Sequence, residues 1–336
     1  MKLKIVFGFT PKSAIRIPKS KAPAHTERKD ADESVGDGGA GFIGSHLVDR
    51  LIQEGHEVVV VDNLSTGKKK NIHKEAKFYK LDILSDRLER IFQKEKPEVV
   101  SHHAAQMDVR RSVADPAFDA QSNIIGLLNL LECAVRNGAR RVVFASSGGA
   151  IYGDQQVFPA PEEHPTHPLS PYGVSKLSSE HYLYYYQKVC GLDYSALRYA
   201  NVYGPRQDPF GEAGVVAIFT QKMLRGEQPV INGNGMQTRD YVFVEDVIEA
   251  NMAVIHSQVN DTFNVGTGKE TSVNQLFRHL LDITGAEAKE IHGPEKKGEQ
   301  VRSCLECQKI HKVLDWEPRV PLQEGLMKTV DYFKNA

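Results

Sequence analysis

From residue 38 onward, short continuous apolar runs alternate with longer stretches in which apolar residues return every three or four positions. The runs are EVVVVD (57–62), KFYKLDI (77–83), PEVVSHHAA (97–105) and ARRVVFASS (139–147), and each reads as a buried strand. Between them, GlyPheIleGlySer opens a helix carried through HLVDRLIQEG and ended by Gly55. A second helix runs to Lys96, a third covers NIIGLLNLLECAVRNG (123–138) up to Gly138, and a fourth covers 172–190. Strands alternating with helices predict a doubly wound parallel α/β sheet. After LDYSALRYAN (192–201) the pattern loosens. Loops rich in Gly and Pro surround a helix near 214–225 and the short segments PVING and YVFVEDV. A helix at 246–257, the strand TFNVG (262–266) and two late helices follow. The expected organisation is a sheet domain over 38–200 and a smaller α/β substrate-binding lobe over 201–336, with some pieces returning to the sheet.

Composition narrows the class. Apolar residues make up 40% of the chain and charged residues 25%, as in soluble globular proteins. No apolar run approaches the ~20 residues of a membrane span, so no membrane association is expected. MKLKIVFGF lacks the long apolar region and small-residue cleavage site of a signal peptide. Four cysteines in 336 residues do not make a disulfide framework, which fits a reducing cytoplasm. The net charge of −1 hides a break: residues 1–31 carry eight basic and two acidic side chains, and the remainder 34 and 41. A basic leader can touch nucleic acid or membrane. Its lack of periodicity fits a plain extension instead, and the acidic body gives no reason to expect nucleic acid.

In GGAGFIGSH, Gly38, Gly41 and Gly44 are spaced for a tight turn, with Phe42 and Ile43 opening the helix that follows. That arrangement lets backbone N–H groups and the helix dipole meet a pyrophosphate, and it makes the sheet Rossmann-type. Asp62 ends the next strand eighteen residues past Gly44, suited to a ribose diol. Its carboxylate would repel a 2′-phosphate, so NAD is favoured over NADP. The alternative is a turn cap shared with Asn63. Asp82 and Ile83 follow the third strand, where the adenine would lie. His102, His103, Ala104 and Ala105 end the fourth, with small residues where the chain would pass the cofactor. Neighbouring histidines on a strand face opposite ways, and no ligand-spaced cluster joins them, so no metal is assigned.

SerSerGlyGlyAlaIleTyrGly (146–153) follows a strand, and SerProTyrGlyValSerLys comes some twenty residues later. Tyr172 and Lys176 are four apart and share one helix face. An ammonium beside a phenol favours the phenolate, so Tyr172 can act as a base towards a sugar hydroxyl. Lys176 can also hold the nicotinamide ribose. The ordinary alternative is a solvated helix face.

Together GGAGFIGSH, VVVVDNLSTG, HHAAQ, SSGGAIYG, SPYGVSK, LRYANVYGPR and QTRDYVFVEDV resemble, in order, the extended short-chain dehydrogenases/reductases of the NAD-dependent epimerase/dehydratase kind. The likeness is greatest to the UDP-glucose 4-epimerases of bacteria and archaea, from about Gly38 to the C-terminus. The resemblance implies tightly held NAD and a UDP-hexose substrate. Tyr172 takes the O4 proton while C4 gives hydride to NAD; the 4-keto sugar turns over, and hydride returns to its other face. It also implies Asn123 and Tyr199 near the cofactor, and Asn201 and Arg239 at the UDP-sugar. An ion pair of Arg239 with Asp240 or Glu245 is the structural alternative.

Many relatives place a catalytic Ser or Thr at the position of Gly148, so Ser147 is the expected partner of Tyr172, with Ser146 in reserve. Related dehydratases carry Thr-Asp-Glu at this turn, and Ser147-Gly148-Gly149 offers no such acids. KKGEQVRSCLECQKI resembles the segment that closes over the sugar: Arg302 would meet phosphate. Ser303 stands where selective epimerases have a bulky tyrosine, leaving room for UDP-N-acetylhexosamines. Cys304 and Cys307 are read as structural, and Tyr182, Tyr184, Tyr185 and Tyr186 continue a helix that packs against its twin in family homodimers, so that part of the run is expected at an interface and plain core packing explains the rest. The alternatives are another UDP-sugar enzyme, such as a UDP-glucuronate epimerase or decarboxylase, and a non-catalytic NAD-bound regulatory protein.

One stretch does not fit. Relatives begin near Met-Lys-Val-Leu-Val-Thr-Gly-Gly-Ala-Gly, whereas Asp32-Glu33-Ser34-Val35-Gly36-Asp37 holds one large apolar side chain. A permitted codon set for it, GAT GAA AGT GTT GGT GAC, encodes Met-Lys-Val-Leu-Val-Thr when read one base later. Residues 1–37 are therefore expected to be an atypical, disordered or frame-shifted extension, with weak NAD binding and low stability for the chain as written. Lys4–Gly8 is the alternative first strand, at the end of an improbably long loop.

Overall fold

The structure, a computed structural model, describes residues 33–209, 214–295 and 300–336, with the backbone alone for 33–37. The strands of its first domain are β1 (Glu33–Asp37), β2 (Glu57–Asp62), β3 (Lys77–Lys80), β4 (Val99–His102), β5 (Arg141–Ser147) and β6 (Asp193–Tyr199). The lobe contributes β7 (Asn201–Tyr203), β8 (Ile231–Asn232) and β9 (Thr238–Phe243). Next, β10 (Asp261–Val265) returns to the first sheet, before β11 (Glu270–Ser272), β12 (His292–Gly293) and β13 (Arg302–Ser303). The helices are α1 (Phe42–Gln53), α2 (Leu88–Glu95), α3 (Val109–Ala114), α4 (Pro116–Ala120), α5 (Gly126–Arg136) and α6 (Gly148–Ile151). They continue with α7 (Pro171–Cys190), α8 (Val215–Leu224), α9 (Val244–His256), α10 (Val273–Thr284), α11 (Gln308–Leu314) and α12 (Leu322–Asn335).

Seven parallel strands form the main sheet in the order β10-β6-β5-β4-β1-β2-β3. Valines in β2 show why it sits between two helical layers. Val58 and Val60 join the core that contains Leu47 and Leu51 of α1 and Ile248 of α9. Val59 and Val61 join the opposite core, with Leu88 of α2, Leu130 of α5 and Leu183 of α7. Alternating sides with both buried is the signature of a doubly covered parallel sheet.

Residues 33–37, grouped with the leader by sequence pattern, form an interior strand between β4 and β2. Ser34 is in register with Val58 and Val99, and Gly36 with Val60 and Ser101. Backbone groups pair whatever the side chain, so a polar sequence held between two buried strands can still complete the sheet. The rest of the leader, including Lys4–Gly8, lies outside the described residues.

The helix expected over 123–138 is present as α5, and two short helices that sequence did not announce precede it. Asp108 accepts from the N–H groups of Arg110 and Arg111 and starts α3, while Asp115 accepts from Phe118 N and starts α4 with Pro116 in its first turn. A π-helical turn over Gln121–Ile125 then leads into α5. The third strand is also shorter than expected, because Asp82 accepts from Leu84 N and turns the chain out of the sheet. In the lobe, β9 pairs with β7, β11 and β13. Among the described residues, no helix is long and apolar enough to cross a membrane.

Candidate active site

Sheet order reverses between β1 and β4, which opens a crevice at their carboxyl ends. Gly38 enters it at φ +65°, and a Cβ there would stand 2.8 Å from Ala104 N. At Gly44 a Cβ would stand 2.3 Å from Gly38 O. Loop, α1 and the end of β4 therefore approach as only glycine permits. No side chain caps α1 and its first turn holds no acid. Its N-terminal N–H groups and dipole suit a pyrophosphate, and the NAD phosphates fit this cradle.

Asp62 is buried and accepts from Ala40 N at 3.1 Å and Leu64 N at 2.7 Å. It thus caps a turn and ties the glycine loop to β2 at once. Asn63 donates to Asp82 at 2.8 Å, and Asn129 of α5 donates to Ile83 O at 2.7 Å. The turns after β2 and β3, which carry Asp62, Asn63, Asp82 and Ile83, are thereby held together.

After β4, His103 contacts Ser101 Oγ at 3.2 Å and Tyr199 OH at 3.3 Å. Tyr199 also bonds Asn251 and is buried; burial raises its phenol well above the ordinary range. It braces His103 from below. Asn123 accepts from Gln106 N at 2.7 Å and donates to Gln106 O at 2.8 Å. Its amide also donates to Asp119, which takes Gln106 Nε2 and, at 2.6 Å, Ser175 Oγ. Asn123 therefore orders the loop after Ala104 and Ala105. Gln106 and Asp119 are residues that periodicity did not flag, since both lie between recognisable elements.

Ser170 caps α7 by accepting from Gly173 N, and Pro171 occupies its first turn. Tyr172 consequently lies in the first helical turn with Lys176 one turn on. Lys176 is buried, donates to Ala145 O at 2.7 Å, and places Nζ 5.8 Å from the Tyr172 ring centroid. Ser146 is buried and donates to Glu180 at 2.6 Å. Glu180 is also bridged by Arg198, with Nη2 at 2.7 Å, and Arg198 donates to Tyr152 OH. Ser147, one position on, ends β5 without capping α6. A Cβ at Gly148 would stand 2.5 Å from Leu305 Cδ1, so Leu305 fills the space a serine would take there.

The lobe converges on the same turn. Asn201 is in register with Tyr241, and Ser303 with Arg239. Since positions 239 and 241 share a face, Asn201, Arg239 and Ser303 lie on one face of the small sheet. Ser303 is buried, its Oγ 3.9 Å from where a Gly149 Cβ would be. Asp240 is occupied by Thr267, Gly268 and Leu305, and Glu245 by Lys328. Arg302 instead grips Glu270 through Nε at 2.9 Å and stacks 3.8 Å from the Phe158 ring. Burial pushes the Cys304 thiol up to about 12 and the Cys307 thiol well up, which suits packing rather than redox chemistry.

A phosphate-binding glycine turn, an acid ending the second strand, and a tyrosine–lysine pair beside a serine define a short-chain, nucleotide-dependent redox site. The chain belongs to the NAD dependent epimerase/dehydratase family, whose model matches residues 37–266. It is 46% identical over 304 residues to a UDP-glucose 4-epimerase of Mycolicibacterium smegmatis, across 89% of this chain and 97% of that one. The crystal structure of the Thermotoga maritima UDP-glucose 4-epimerase with UDP-glucose superposes with a TM-score of 0.89. That protein is 52% identical, over 90% of this chain and 98% of that one. The Thermus thermophilus UDP-glucose 4-epimerase complex with NAD is 42% identical with a TM-score of 0.85, over 90% and 99%.

Proposed function

We propose that the chain interconverts UDP-glucose and UDP-galactose through a 4-keto intermediate, with NAD as its resident cofactor. The observation that carries this reading is the buried Lys176 beside the Tyr172 ring and bonded to Ala145 O of the strand that ends at Ser147, in a chain so similar to 4-epimerases. Gly38–Gly44, Asp62, Asn63, Asp82, Ile83 and the His103–Ala105 loop would hold NAD, as ordered by Asn123 and Tyr199. The chemistry NAD supplies when bound is reversible hydride exchange at the sugar C4.

Tyr172 takes the proton of the O4 hydroxyl and later returns it. The positive end of α7 and the Lys176 ammonium both favour its phenolate. Ser147 shares the hydrogen bond to O4, while Ser146 keeps its proton on Glu180. Asn201, Arg239 and Ser303 receive the UDP-sugar, and the fork of Arg239 suits a diphosphate. Arg302 joins them only by exchanging Glu270 for phosphate. Ser303 is small, so UDP-N-acetylhexosamines fit as well; Ser303→Tyr is expected to lose those substrates and keep UDP-galactose.

Val174, Tyr182, Tyr185 and Val189 are exposed within one arc of α7, and a second copy of the chain is the partner we assign to it. The four free cysteines fit a cytoplasmic setting. The test is turnover of UDP-galactose and UDP-galacturonate, assayed separately. No turnover of UDP-galactose or of UDP-glucose overturns the proposal, and turnover of the uronate alone selects the uronate reading.

A further inference from the structure

We propose that Glu54, His56 and His256 form a binding site for one divalent ion of the zinc class, at the end of the sheet remote from the cofactor. Their ligand atoms lie within 4.8 Å of one another. Glu54 Oε2 is 3.4 Å from His256 Nε2 and 3.9 Å from His56 Nε2. Tetrahedral zinc with bonds near 2.0–2.1 Å needs ligand atoms about 3.3 Å apart. One separation already matches; side-chain rotations must close the other two, Glu54–His56 at 3.9 Å and the pair of imidazoles within 4.8 Å.

The frame is built before any ion arrives. At the end of α1, Gly55 N donates to Ile52 O and His56 N to Leu51 O, a C-terminal cap closed by Gly55 at φ +84°. Glu54 and His56 are thereby presented from one tight turn. His256 ends α9, which packs on α1, Val48 and Leu51 of the one and Ile248 and Ile255 of the other lying in a common core. Arg50 bridges the two helices, binding Glu249 and holding Glu54 Oε1 at 2.8 Å. With Oε1 taken, Oε2 is the oxygen directed at the imidazoles, the support that ligating carboxylates commonly receive.

Two imidazoles and a carboxylate suit zinc, copper or nickel better than calcium or magnesium. His256 and Glu54 keep 50% and 28% of their side-chain surface, and a cavity of about 240 Å³ lined by Glu54, Glu249, His256 and Trp316 adjoins them. Water can complete the coordination from that side. The bound ion would fasten the end of α1 to the end of α9, about 18 Å from the phosphate loop at 1.5 Å per residue along α1.

The full chain, stripped of metal with chelator, is titrated calorimetrically with Zn²⁺. One ion per chain is expected, with a raised thermal midpoint. His256→Ala and His56→Ala should each weaken binding by about tenfold or more, as even losses among supporting residues do, and leave sugar-nucleotide turnover unchanged. Should His56→Ala fail to fold, His256→Gln decides alone, since that side chain is half exposed at a helix end. Absence of stoichiometric binding, or equal binding by the His256 variant, overturns the proposal.

Discussion

The two walls of the cofactor crevice are built by different means. On the phosphate side, β1 and the glycine loop are held by backbone: Gly38 N donates to Val61 O, Gly41 N to Gly38 O, and Lys68 N to Ala40 O. Asp62 is the side chain that ties this wall together. On the reactive side, side chains do the holding. Ser146, Glu180, Arg198, Tyr152 and Asn264 form one buried chain of hydrogen bonds that links β5, α7, β6 and β10. A wall made of backbone tolerates an unusual sequence such as Glu33–Asp37, whereas a wall made of paired side chains does not.

The contrast breaks most visibly at the reactive wall. Tyr172→Phe should lower kcat by about 10²–10⁴-fold, the usual contribution of a positioned acid–base group, with NAD affinity retained; steady-state kinetics and cofactor titration separate the two. Arg198→Ala leaves Glu180 buried without its cation and should cost about 3–5 kcal/mol of stability, read from urea unfolding. At the backbone wall the expected sign reverses. Replacing residues 32–37 with Met-Lys-Val-Leu-Val-Thr should raise both the thermal midpoint and NAD affinity, since each fully buried valine contributes about 1.5–3 kcal/mol. No gain from that replacement would mean that backbone pairing alone suffices.

The smallest effect belongs to the lobe. Hydrogen bonding from Arg302 holds the Glu270 carboxyl below the usual carboxylate range. A depressed acid adds stability above its unfolded pKa and loses it as pH falls through the folded value. The wild type should therefore melt slightly above Glu270→Gln at neutral pH, and the gap should close in acid below the ordinary carboxylate range.

Much of this was legible in the chain. Valine runs announced β2 and β4, and glycine spacing and Tyr172–Lys176 announced a tight turn and a shared helix face, two parts of the candidate site, because each is a local pattern. What escaped was long-range or unpatterned. Glu180 and Arg198 are eighteen residues apart on different elements, and only packing makes them a pair. α3 and α4 were missed because Asp108 and Asp115 start short helices that carry no apolar stripe. Residues 33–37 were set apart for composition, yet their place comes from their neighbours. Glu54 and His256 are some two hundred positions apart, beyond any local motif.

Asp119 joins regions that sequence keeps separate. It receives Gln106 from the loop after β4, Asn123 from the π-turn and Ser175 from the helix carrying Tyr172. These pieces should therefore open to solvent as one unit. Amide protons in the loop and in the first turns of α7 would exchange with deuterium at a common rate, slower than the surrounding surface, and Asp119→Ala would let the two rates part.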